Sequence, residues 1–396
     1  MTDVIKFFSS EMQQAIALKS NATSLSKILD QFLVSGSAAV NPVSAVVVDK
    51  KLRFTLPNAN KNFSLYSTVE ISGSGIDTKF HGEHKVIAVS GAWFEIATDE
   101  ANGTLPITPD QTSIKYASLG WSKKELSDPK RIAYLPAGST QIGISIDKET
   151  TEACLKVKGF GRLKNVASTF TPELESSDTY FNGTVPDATK LVKYMLVGNS
   201  KFFYFISFYK ESNDGPVSLM AYGKVSDKAY VLAAHSDKAR AKANDTGYYW
   251  PTHALGAFDG HDNSYKDLYL FEEGSSLTYT DCHHTSSAPM CLQNSYSAAT
   301  NYPNNQGKIE LSKVEVIDSQ YLVKGQFPGL YYIQTECYGY FEHGGIVQGT
   351  GDLAGKLFLS IYIPASSSYY FSIYNTINGG NVRYANVLID LTGPWE

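Results

Sequence analysis

The chain has 396 residues, 43% hydrophobic and 18% charged, with 26 Tyr and 20 Phe. That is enough apolar and aromatic surface for two or three cores and too much for a disordered chain. Lys+Arg 34 against Asp+Glu 39 leaves a net charge of -5 spread along the sequence, whereas a nucleic-acid or anionic-membrane binder needs a basic face or stripe. There is no short glycine period and no sustained heptad, so collagenous and coiled-coil architectures are excluded.

The start, Met1-Thr2-Asp3-Val4-Ile5-Lys6, lacks a basic region followed by a long apolar run, and no signal peptide is expected. Apolar runs such as Phe202-Phe203-Tyr204-Phe205-Ile206 fall far short of the roughly 20 residues of a membrane helix. No membrane insertion is therefore expected. Four cysteines, Cys154, Cys282, Cys291 and Cys337, do not make a disulfide scaffold, and the chain reads as one that folds in a reducing cytoplasm.

In chain order, the first predicted element is a helix. Leu25, Ile28, Leu29, Phe32 and Leu33 recur at offsets of three, four, seven and eight and give one buried face. Ser24 is placed to cap it and Gly36 to stop it. The expectation is an N-terminal segment, 1–39, whose short amphipathic helix packs on its own chain.

After it the period changes to two. Residues 45–48 and 52–56 flank Asp49-Lys50-Lys51, and 86–89 and 93–96 flank Ser90-Gly91, the signatures of two hairpins. With 69–71 and 113–116 they predict a small antiparallel β-barrel or sandwich over 40–118. Residues 119–396 continue as a larger antiparallel β-sandwich. Its strands are expected at 143–147, 154–158, 220–223, 229–233, 322–324, 357–363, 369–374 and 387–389. The clearest hairpin joins 194–197 to 202–208 through Gly198-Asn199-Ser200. Between 236 and 305 periodicity collapses into Gly, Asn, Asp, Ser and His, which predicts a long loop excursion suited to contacts. The fold class is mainly β.

The residue patterns supply little chemistry. Asp281-Cys282-His283-His284 followed by Cys291 offers ligands for a tetrahedral zinc, yet lacks a paired Cys-x-x-Cys or His-x-x-x-His half. Free thiols, a Cys282–Cys291 disulfide and a metal site all remain open there. His81-Gly82-Glu83-His84 spaces its histidines three apart and runs into a strand, so it reads as a turn. Asp259-Gly260-His261-Asp262-Asn263 lacks the donor order of a calcium loop. Lys158-Gly159-Phe160-Gly161-Arg162 resembles an RNA-binding strand, but Leu163, Lys164 and Asn165 stand where stacking aromatics would follow. It reads as a strand end. Gly344-Gly345 after His343 is a turn, since no nucleophile motif accompanies it. No catalytic, cofactor-binding or metal residues are assigned, no cofactor is expected, and an enzyme is not expected.

Several segments, in order, carry a resemblance. Val4-Ile5-Lys6-Phe7-Phe8-Ser9-Ser10-Glu11-Met12 and Leu29-Asp30-Gln31-Phe32-Leu33-Val34 resemble the opening and helix of a family of tailed-bacteriophage virion proteins. Residues 69–73 and His81-Gly82-Glu83-His84-Lys85-Val86 resemble a small β-module of phage tail and baseplate proteins, with His81 where Asn is usual. Gly120-Trp121-Ser122-Lys123, residues 154–160 and the hairpin 193–208 are similar to further steps of that family. So are Gly325-Gln326-Phe327-Pro328-Gly329-Leu330 and the closing Asp390-Leu391-Thr392-Gly393-Pro394-Trp395.

The resemblance implies a non-enzymatic structural component of a phage particle, in or near the tail, assembled in the host cytoplasm. It would form a ring-like homo-oligomer and bind other virion proteins, tail or neck, with no nucleic acid. Tyr331-Tyr332, Tyr338, Tyr340, Tyr362, Tyr369-Tyr370 and Tyr374 provide amphipathic contact area for interfaces or packing for the core. Three rival readings are a hydrolase hidden among the acidic loops, a capsid- or neck-associated decoration protein, and a virion-surface host-recognition protein. The last would stack glycans on Tyr248-Tyr249-Trp250 and His253 within 236–305.

Overall fold

Alternation of apolar and polar side chains builds most of the strands. In Lys51–Thr55, Leu52 and Phe54 are buried while Lys51 stays in water, as expected when one sheet face meets a core. The structure is a computed structural model. It describes residues 4–18, 22–59, 63–128, 130–147, 154–166, 168–176, 179–182, 191–208, 217–234, 268–272, 283–293, 308–317, 322–333, 344–349, 353–364 and 384–395. The fold is mainly β, with one short helix and several antiparallel sheets of the sandwich type, and no closed barrel occurs among the described residues.

The small sheet has seven strands in the order Gly103–Leu105, Ser44–Val48, Lys51–Thr55, Trp93–Ala97, Gly82–Ser90, Thr68–Ser72, Ser113–Tyr116. Its long strand Gly82–Ser90 serves two partners. The first half pairs with Thr68–Ser72, the second with Trp93–Ala97, and the register slips between Val86 and Ala88. A slip of this kind bends a strand. Val40 bridges Ile114, so the two ends of the sheet approach each other without closing. Phe54 and Phe94 stack at 5.4 Å, and Phe63 meets Phe94 and Tyr116 edge-on.

The predicted helix is present and packs on its own chain. Leu25, Ile28, Leu29, Phe32 and Leu33 are all buried, and the Phe32 ring lies 4.4 Å from Phe8 and 6.0 Å from Tyr194. The helix Ala22–Leu29 begins before Ser24, so Ser24 does not cap it. The following turn, Asp30–Ser35, widens to a π-helix. Gly36 ends it with φ 74° and donates its amide to the Gln31 carbonyl at 2.7 Å. A side chain at Gly36 would overlap the Tyr116 carbonyl.

Residues 1–39 also contribute a strand that period-two reasoning did not find. Lys6–Ser9 pairs antiparallel with Tyr194–Gly198 and forms one edge of a second sheet. That sheet continues through Phe202–Phe208, Val217–Lys224, Ala229–Ala233 and Leu268–Glu272. Every residue of Tyr194–Gly198 and Phe202–Phe208 is buried. The expected hairpin is therefore an internal one, covered on both faces.

A third sheet runs Thr169–Glu175, Cys154–Val166, Gly143–Asp147, Arg131–Leu135, Ser122–Glu125, with Thr179–Asn182 also pairing Cys154–Val166. Here the strand-end reading of Lys158-Gly159-Phe160-Gly161-Arg162 is corrected, because the strand runs through both glycines to Val166. The reason is packing. A Cβ at Gly159 would overlap the buried Phe271 ring of the second sheet.

The fourth sheet is ordered His283–Gln293, Lys308–Ile317, Val323–Ile333, Tyr384–Asp390, Leu357–Pro364, Ile346–Gln348. Two strands, Leu268–Glu272 and His283–Gln293, fall within the expected loop excursion 236–305. Most of that region, and the expected strand 369–374, lie outside the described residues. One buried apolar cluster extends from Ile5 to Leu391 through all four sheets.

Gly159→Ala should lower stability by roughly 1–3 kcal/mol, the usual cost of overpacking a tight contact, measured by denaturant unfolding. Adding Phe271→Leu should recover part of that loss, since the smaller side chain frees the space the new methyl needs.

Candidate functional site

Segments far apart in the sequence meet in space. Lys6 is 5% exposed, and a lysine is rarely that deep without partners. Its ammonium pairs with Glu83 at 2.5 Å and donates to the Ser118 carbonyl. The small sheet answers through Lys85, which reaches back to donate to the carbonyls of Ile5 and, at 3.4 Å, Tyr66. The N-terminal strand and the small sheet thus exchange lysines.

The step from the small sheet to the third sheet is anchored by the helix. Carbonyls at a helix end need donors from outside, and the amides of Leu119 and Trp121 supply them to Phe32 and Leu33 at 2.8 and 2.9 Å. Trp121 then donates its indole N–H to the Asn199 carbonyl at 3.0 Å and meets Phe203 and Tyr222 edge-on. Asn199 itself turns the hairpin, its side-chain oxygen accepting from the amides of Lys201 and Phe202.

The carboxy-terminal segment closes the other side. Asp390 is 1% exposed. Its carboxylate pairs with Lys356 at 2.6 Å and accepts from the amides of Thr392 and Gly393 and from the Thr392 hydroxyl. This network orients Trp395, which donates to the Asp390 carbonyl at 2.9 Å and packs edge-on against Tyr204 and Phe202. Tyr204 donates in turn to the Pro328 carbonyl at 2.9 Å. Gly329, at φ 65°, lies against the Trp395 indole with no room for a Cβ.

Burial governs the titration of these groups. It pushes Lys85 down to about 8, the neighbouring Lys6 adds to that, and Glu83 and Asp390 oppose it. Tyr134, buried and bonded to the Asp30 carboxylate at 2.6 Å, is pushed well above the usual phenol range, first by burial and then by that carboxylate. Burial likewise raises Tyr194, Tyr204 and Tyr222.

The motif candidates for chemistry fare differently. His81 and His84 each engage a separate carbonyl, those of Gly73 and Phe80. The turn expected here is confined to Thr78–His81, because Gly82, Glu83 and His84 already belong to the strand Gly82–Ser90 and pair with Thr68–Ser72. Cys282 lies outside the described residues. His283, His284 and Cys291 share one strand. Among the described residues no group of three His, Cys, Asp or Glu is placed to hold a metal. Lys158, from the basic strand, shares Glu175 with Arg131. Residues 259–263, Tyr248, Tyr249, Trp250, His253 and His343 lie outside the described residues. Of the C-terminal tyrosines, Tyr331 is in the core against Phe358.

No sequence spacing marks Lys6, Glu83, Lys85, Lys356 and Asp390 as a group. The available signal was a lysine beside two phenylalanines at Lys6-Phe7-Phe8, since such a lysine buries its stem and needs a partner for its head.

Lys6 is buried and Glu83 exposed, so removing Glu83 alone strands a buried charge and costs more than removing both. Glu83→Gln should therefore destabilise by roughly 1–3 kcal/mol, and Lys6→Met added to it should give back part of that loss. Equilibrium unfolding of the two single variants and the double variant measures the coupling. No protein-family model matches the chain, and comparison with curated proteins finds no match.

Proposed function

We propose that the chain is a non-enzymatic structural component of a phage particle, in or near the tail, acting by symmetric assembly with copies of itself and with neighbouring virion proteins. One observation carries the reading. The segments that resemble the tailed-phage virion family, Lys6-Phe7-Phe8, Gly82-Glu83-His84-Lys85, Gly120-Trp121, the 193–208 hairpin, Phe327-Pro328-Gly329 and Asp390–Trp395, converge on one another. Their polar atoms are spent on carbonyls, amides and opposite charges of the same chain. Residues that act on a substrate converge on a cleft instead and keep reactive atoms available. On this reading the segments that resemble the family serve to join sheets.

A subunit of this kind must be rigid before it assembles. Homo-oligomeric rings close through heterologous contacts that repeat at a fixed angle, and a subunit whose sheets shift against one another cannot hold that angle. One apolar cluster through four sheets meets the requirement. The host-recognition reading rests on residues outside the described ones, and no observation favours it.

Mass spectrometry of purified particles of the encoding phage should detect the chain, and its absence would overturn the proposal. Antibody-labelled particles in negative stain should carry signal at the tail. Signal on the capsid faces would reject the tail position alone, and turnover of host envelope polymers by the purified chain would reject the non-enzymatic reading.

A further inference from the structure

Three parts of the chain bring charge to one place. The N-terminal strand supplies Lys6, the small sheet supplies Glu83 and Lys85, and the fourth sheet supplies Asp390 with its partner Lys356. Two ion pairs, Lys6–Glu83 and Lys356–Asp390, account for both carboxylates. Lys85 is the surplus cation, with no carboxylate paired to it among the described residues. The neighbouring groups do not relieve it. Glu70, opposite Glu83 in the sheet, is held by Lys115 at 3.2 Å. His84 is turned to the Phe80 carbonyl.

We propose that this joint is a proton-linked latch, fastening residues 5–9 to the small sheet more tightly once Lys85 gives up its proton. The donor count permits it. A neutral amine keeps two N–H groups, enough for the two carbonyls, Ile5 and Tyr66, that Lys85 already engages. Deprotonation therefore costs no hydrogen bond, while it removes the surplus positive charge beside Lys6.

The sign follows from the two states. In the closed joint Lys85 loses its proton at about 8, against an ordinary value of 10.5 when water surrounds it. Between those limits the open form holds more protons, so raising the pH favours closure. Below pH 8 both forms are protonated and the latch is at its weakest. The latch does not depend on the role proposed above for the whole chain.

Amide hydrogen exchange of the full chain, followed by mass spectrometry on a peptide covering residues 4–10 and corrected for intrinsic rates, tests it between pH 7.5 and 9.5. Wild-type protection should rise by about twentyfold over that range, as release of one proton between those two limits gives. Lys85→Met should be flat, since it has no proton to release. Lys85→Arg, whose guanidinium does not deprotonate, should be flat and low, and peptide 202–208 should be unchanged in all three proteins. A flat wild-type profile, or an equal rise in Lys85→Met, would overturn the latch. Should Lys85→Met not fold, Lys85→Gln takes its place, keeping two N–H donors without charge, and the same two outcomes decide.

Discussion

The arrangement of the whole molecule depends on covering both faces of one hairpin. Seven consecutive residues, Phe202–Phe208, contain no charged side chain and are all buried. Alternation along a strand sends Phe203 and Phe205 to one face and Phe202 and Tyr204 to the other. On the first face Trp121 meets Phe203, and Tyr194, itself against Phe32, stacks on Phe205. On the second, Trp395 and Phe327 meet Phe202 and Tyr204. Leaving either face in water would expose several large aromatics, each worth on the order of 2–3 kcal/mol of burial. The helix with Trp121 on one side and the fourth sheet on the other are thus both required by the same seven residues.

Covering an apolar strand on both sides creates a second demand. The elements that arrive from distant parts of the sequence must be held in register, and apolar contact is non-directional. Directional contacts sit where the covers meet the hairpin: Trp121 on the Asn199 carbonyl, Tyr204 on the Pro328 carbonyl, Trp395 on the Asp390 carbonyl. Each is an aromatic ring with one polar atom, so a single side chain supplies both burial and orientation. The lysine exchange between Ile5–Lys6 and Glu83–Lys85 performs the same task with charge, at the place where the N-terminal strand would otherwise expose its edge.

What could be read from the sequence follows from how local each signal is. The helix face Leu25 to Leu33 and the strands around Asp49-Lys50 and Gly198-Asn199 repeat within a few residues, and they are where the periods put them. The strand Lys6–Ser9 could not be read that way, because all four of its residues are buried and one is a lysine, which erases the alternation. Glycine misled at Gly159, where it marks close approach to Phe271 and not the end of a strand. The charged joint was illegible for a different reason. Lys6, Glu83, Lys85, Lys356 and Asp390 share no spacing, and only the folded topology makes them neighbours.

That separation in sequence has a consequence for how the molecule is completed. The small sheet is made from consecutive segments, 44–116, and can form its ladders from nearby partners. The strand Lys6–Ser9 precedes it in the chain, yet its ladder partner is Tyr194–Gly198. Closing a contact over so many residues must await the late segments. The fourth sheet, when it docks, adds a carboxylate beside the surplus cation and an indole over the exposed face of the hairpin in the same stretch of six residues, 390–395. Electrostatic and apolar completion are thereby coupled: neither cover can be lost without unbalancing the charges that the other helps to hold.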